Sequence, residues 1–226
     1  QVLETEGGRY VNIDLNTLGS VNMARQINLA SLDIAQAITT PYLSGIDVLA
    51  ESPHKGRLFA MFRPPDRRLE SYFHAAKDVT SRYYDATLEE VTLEQYANWP
   101  TDRKEFNFMI KSLVSTGDSL IPTDQLTPDD LRLAKAIVKE KMLALSWNDR
   151  LGSWAKLMSW LEWTTTQDQR ACADEVLLKE WPTQDAGPLE EDDPILVRLM
   201  QRSAWDVQLH DFAMHLYQHQ TESMVQ

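Results

Sequence analysis

Apolar positions follow two regimes along this chain. From Tyr10 to Ala76 they come in short runs separated by polar breaks, and beyond Ala76 they recur mainly at helical spacing. Tyr10, Val11, Ile13 and Leu15, with Asn12 and Asp14 between them, predict a short strand after a polar lead-in that carries a Gly7-Gly8 turn signal. Ser20 to Leu29 predicts a helix capped by Ser20 or Gly19, with Val21 and Ala24 on one face. Ile34 to Thr39 is a second short strand ended by Pro41, Tyr42 to Leu49 a short helix and Ser52 to Gly56 a loop. The run Leu58-Phe59-Ala60-Met61-Phe62 is uninterrupted and apolar, which suits a fully buried strand of a parallel sheet. Pro64 and Pro65 stop it and place a helix start near Pro65, since proline is tolerated in a first turn; Leu69, Phe73 and Ala76 follow at helical spacing. This alternation predicts an α/β fold, a parallel sheet with crossover helices.

The second half reads as mostly helical. Asp78 to Ala86, with Arg82, Tyr83 and Tyr84, is a loop that suits a binding role or a plain connection equally. Thr92 and Gln95 form a capping-box pattern for a helix through Trp99, and Phe106, Met109, Ile110 and Leu113 share a face of the next. Thr127-Pro128-Asp129-Asp130 is a strong helix start, followed by a buried stripe at Leu131, Ala134 and Val138 that extends toward Leu145. Leu151, Trp154, Met158 and Leu161 repeat that spacing. Trp147, Trp154, Trp160 and Trp163 are expected to fill core or interface, which makes the tryptophan-rich helices a candidate surface for protein partners. Trp181 to Asp193 reads as a linker with a solvated acidic run; Pro194 opens a last helical stretch rebroken at Ser203. The expected organisation is one domain over 1–226, with a sheet part at 1–76 and a helical part at 77–226.

Charge narrows the function. The 226 residues carry a net charge of −12, which argues against general nucleic-acid or anionic-membrane binding. A single cysteine, Cys172, excludes an internal disulfide and a cysteine-based zinc site. His215 and His219 are four apart in a helical stretch, but without a third ligand no metal is expected. No run of residues reaches transmembrane length. Against this acidic background the cluster Arg63, Arg67 and Arg68 stands out. The pattern puts Arg63 at the carboxyl end of a buried strand, facing a helix N-terminus, where backbone N–H groups and the dipole favour an anion. Arg67 and Ser71, four apart, share one helical face, so a guanidinium, a hydroxyl and a helix end can converge on one phosphate. The same arginines also suit ordinary pairing with surface carboxylates.

The run Arg63-Pro64-Pro65-Asp66-Arg67-Arg68-Leu69-Glu70-Ser71-Tyr72 resembles the R-x-P-x-x-R-x-x-S-x-Y signature of sulfotransferases, and an apolar strand precedes it as in that family. In the manner of the membrane-type and carbohydrate sulfotransferases, Leu93 to Tyr96, Asn107 with Lys111 and Leu113, Leu133 to Leu145, and Trp205 to His210 resemble later family segments in the same order. The resemblance covers nearly all of Tyr10 to Gln220. It implies a P-loop-type α/β fold and transfer of a sulfuryl group from the donor PAPS to a hydroxyl of a carbohydrate or other acceptor. It assigns the donor's 3′-phosphate to Arg63 and Ser71, with Arg67 as a buttress.

The family's phosphosulfate loop, P-K-x-G-T-T, is not in this sequence. Gly7-Gly8 has no lysine or threonine pair after it. The Tyr10 to Leu15 strand then takes the place of the family's second strand, and the loop is expected upstream of Gln1. Asp14, at the end of its strand, is the candidate general base. Removal of an upstream leader or anchor would be consistent with a Golgi or other organelle lumen. The alternative is an inactive sulfotransferase-fold domain kept as a structural or interaction subunit; a nucleotide-kinase relative would share the sheet but lacks its loop as well.

Overall fold

The computed structural model describes residues 2–5, 8–11, 15, 17–32, 38, 40, 58–115, 120–178, 190 and 192–220. It is mixed α/β and mostly helical. The described residues fall into two compact units, 1–57 with 111–121, and 58–110 with 122–226.

In the first unit, strands β1 (Val2–Thr5) and β2 (Gly8–Val11) pair antiparallel with Val2 opposite Val11 and Thr5 opposite Gly8. This corrects the sequence expectation in two ways. The polar lead-in contains a strand, and Tyr10 and Val11 belong to a hairpin rather than to a parallel sheet. Two residues separate the strands, the length of a tight hairpin connection, and Gly7-Gly8 was the local signal for it. Helix α1 (Leu18–Gln26) begins earlier than expected because Thr17, not Ser20 or Gly19, accepts the capping bond, from the Ser20 N–H. Val21 and Ala24 are buried as its spacing required. The strand expected at Ile34 to Thr39, the helix at Tyr42 to Leu49 and the loop at Ser52 to Gly56 lie wholly or mainly outside the described residues.

The second unit is built on a parallel pair. Strand β3 (Leu58–Phe62) pairs with β4 (Met142–Ser146), Leu58 opposite Met142 and Phe62 opposite Ser146. β3 is where the apolar run placed it, but among the described residues it is half-covered, and Met61 is exposed. β4 is buried along its whole length. It replaces the end of an expected helix. Helix α5 (Pro128–Lys141) starts at the Thr127 capping box and stops at Lys141, so the apolar stripe does not continue helically to Leu145. Met, Leu and Ala favour helices, but a short fully apolar run also fits a strand covered on both faces, and here pairing with β3 outweighs local propensity.

Helix α2 (Pro65–Lys77) follows β3 and buries Leu69, Phe73 and Ala76. These pack with Leu88, with Tyr96 and Ala97 of α3 (Leu93–Ala97), with Phe106, and with Leu196 and Leu199 of α8 (Pro194–Arg202). A second cluster joins Leu143 and Leu145 of β4 to Leu157, Met158 and Trp160 of α6 (Arg150–Trp160). The first turn of α4 (Phe108–Val114) belongs to this unit, as do α7 (Gln167–Leu178) and α9 (Ala204–His219). Helix α9 lies against both strands and against α2, α5 and α8. Among the described residues no helix is long and apolar enough to cross a membrane.

Candidate functional site

Parallel pairing sends the chain out of both strands at the same edge of the sheet. The last pair is Phe62 with Ser146, and the Trp147 N–H continues the ladder by donating to the Phe62 carbonyl at 2.9 Å. Arg63 and Trp147 therefore emerge side by side, where α/β folds place their ligands. The Arg63 guanidinium carbon lies 5.1 Å from the centre of the Trp147 ring, and that of Arg150, in the first turn of α6, lies 5.6 Å from the same ring.

Eight residues after Arg63, Ser71 returns on the second turn of α2. Arg63 Nη2 donates to Ser71 Oγ at 2.7 Å. The Arg63 Nε is buried and has no hydrogen-bond partner. Among the described residues no carboxylate forms an ion pair with Arg63. Burial lowers its pKa, while Glu70 and Asp66 pull it upward and Arg68 and Arg67 push it down. The group stays cationic, because even a lowered guanidinium titrates far above neutrality. Beside it the N-terminus of α2 has no side-chain cap: Pro64 occupies the N-cap and Pro65 the first turn. Among the described residues the half-buried Arg63 cation thus meets the Ser71 hydroxyl on the helix that Pro65 opens.

The other expected residues are placed differently. Arg67 stands on the same helix, with its Nη1 3.2 Å from Glu70 Oε2 and its Nε 3.7 Å from Asp66 Oδ2. Its guanidinium is therefore held by acids of its own helix. Asp14 lies outside the described residues. Trp147 and Arg150 were not singled out as site residues from the sequence. The missing signal was the strand identity of Met142–Ser146: read as a strand, that run puts Trp147 at a carboxyl end, as Leu58–Phe62 did for Arg63.

Arg68, next to this site in sequence, belongs to a buried lock. Its Nη2 lies 3.2 Å from Asp206 Oδ2, and Asp206, fully buried, also accepts from the N–H groups of Met109 at 3.1 Å and Ile110 at 2.9 Å. In return Asn107 Oδ1 accepts from the N–H groups of Trp205 and Asp206. Asn107 thus caps α9 while Asp206 caps α4. Both residues lie in segments whose order carries the family resemblance, and both do structural work here.

The remaining expectations concern metals and aromatics. Among the described residues no group of three or more His, Cys, Asp or Glu side chains is placed to hold a metal ion. His215 and His219 stack at 4.3 Å, and His219 Nδ1 lies 2.8 Å from the His215 carbonyl oxygen. Trp160 fills core, Trp154 packs against the same cluster, and Trp163 is exposed. No protein-family model, no curated protein and no solved structure matches this chain.

Proposed function

We propose that this chain binds the 3′-phosphate half of a 3′-phosphoadenosine nucleotide, in the manner of a PAPS-dependent sulfotransferase. The observation that carries the reading is the Arg63–Ser71 pair. A guanidinium bonded to a neutral hydroxyl, with no ion-paired carboxylate among the described residues, has charge left for an oxyanion. Ser71, with its oxygen occupied by Arg63, keeps its own proton to donate to a phosphate oxygen.

In this reading the two residues anchor and orient the donor from the end remote from the transferred group. PAPS, when bound, supplies the activated sulfuryl group. The residues of this chain fit its 3′-phosphate, and its phosphosulfate end has no counterpart loop in the sequence. A P-loop-type sheet and a hydroxyl-bearing acceptor belong to the same proposal, with Asp14 as the candidate base. A non-catalytic interaction subunit is the second reading; the incompletely covered helix α7 favours it.

Calorimetric titration with adenosine 3′,5′-bisphosphate tests the proposal. We expect binding, much weaker binding of adenosine 5′-monophosphate, and a loss on Arg63→Ala of about 1.5–3 kcal/mol, the range for a hydrogen bond to a charged group. Equal affinity for the two nucleotides, or an Arg63→Ala variant that binds like the parent, overturns it.

A further inference from the structure

Helix α7 leans against α6 but buries none of its residues. Only Ala173 and Leu177 are half-covered, while Val176 is 54% and Leu178 60% exposed. Twelve residues make a marginal helix in water, and helices of this length draw most of their stability from packing an amphipathic face. α7 has such a face, yet a groove of about 450 Å³ separates it from α6, with Trp154, Met158 and Trp163 on one wall and Ala173, Val176 and Leu177 on the other. Every side chain lining the groove is uncharged, on a protein of net charge −12.

We propose that a second copy of this chain fills the groove, with the α7 helices packed antiparallel about a two-fold axis at Cys172. Charge selects this occupant. Arg170 and Asp174 lie two residues to either side of Cys172 on the same flank of the apolar stripe. Antiparallel pairing brings like flanks together, so Arg170 meets Asp174 of the partner subunit and the reciprocal pair forms by symmetry. On the opposite flank Cys172, a free and exposed thiol, meets Cys172 of the partner subunit. Parallel pairing would instead set the Arg170 and Asp174 flank against the Cys172 flank, and neither ion pair would form. The pairing does not depend on the nucleotide reading.

Sedimentation equilibrium of the intact chain at micromolar concentrations tests the pairing. A reversible monomer–dimer equilibrium is expected, with Arg170→Asp raising the dissociation constant roughly tenfold or more and Arg170→Asp/Asp174→Arg restoring most of the loss. Oxidation with copper–phenanthroline, which takes two electrons from the two thiols as they lose their protons, should join the dimer through Cys172. The link should diminish in Arg170→Asp and return in the double variant. Circular dichroism of each exposed-site variant, expected to match the parent, checks that it is folded. A monomer at every concentration overturns the proposal, and uptake of a neutral apolar dye by that monomer would reassign the groove to a small molecule. A dimer in which the charge swap fails to rescue, or a cross-link indifferent to Arg170, also overturns it.

Discussion

His210 shows how one side chain can tie stability to pH. It sits on α9, and its Nε2 is buried without a hydrogen-bond partner. Burial lowers its pKa, against the opposing pull of Asp211 and Asp206 on its own helix and Asp66 on α2. The unfolded chain, with an ordinary histidine pKa of about 6.5, then binds the proton more readily than the folded one. Its contribution is fully present above about pH 6.5 and is lost as pH falls through the lower folded value. Urea midpoints measured across that range should therefore drop on acidification, and His210→Phe should flatten the drop; an equal slope in the variant would contradict the assignment. Arg63 is the other residue whose setting matters most, and it was legible from sequence because prolines end its strand and spacing brings Ser71 back beside it. Arg67 shared that spacing, yet Asp66 and Glu70 hold it, and which of two neighbouring arginines finds a carboxylate is settled by side-chain geometry.

At the scale of elements, α4 and α9 are locked to each other by exchanged caps. Asn107 has a positive φ of 54°, a conformation asparagine tolerates better than most residues. Asn107→Ala should lose its capping bonds and add backbone strain, costing about 1–2 kcal/mol or slightly more. Asn107→Gly loses the same bonds without the strain and should cost less. Asp206→Ala should be worse than either, about 3–5 kcal/mol, because it strands the Arg68 charge and two N–H groups in the interior. Urea unfolding of the three variants checks that order, and an Asp206→Ala cost below that of Asn107→Gly would refute the lock. Helix starts were the most legible elements: Thr92, Thr127 and Pro65 each carry a local chemical signal, and each begins a helix where expected. β4 was illegible for the complementary reason. Its residues favour a helix by themselves, and its strand identity comes from β3, eighty residues away in sequence, which no local pattern can report.

Across the whole second unit, the parallel pair has to end without leaving an open ladder on β4. One edge of β4 is paired to β3, and side chains cover the other. Gln220, just past α9, accepts from the Ala144 N–H at 3.0 Å and donates to the Met142 carbonyl at 2.7 Å, as a neighbouring strand would. Ser153 of α6 does the same for Ser146, accepting from its N–H and donating to its carbonyl, both at 2.8 Å. Helices α6 and α9 thus finish the sheet on that side, which blocks further strand addition. Gln220→Ala should leave a buried donor and a buried acceptor unpaired, at about 1–3 kcal/mol for each. Gln220→Glu keeps the acceptor for Ala144 but sets a carboxylate oxygen against the Met142 carbonyl, so it should rescue little. Hydrogen exchange at the Ala144 amide, read with the urea midpoint, separates this from a general loosening of the chain terminus. Exchange should accelerate at Ala144 ahead of the Leu143 and Leu145 amides; unchanged protection at Ala144 in Gln220→Ala would mean that the edge is covered by something else.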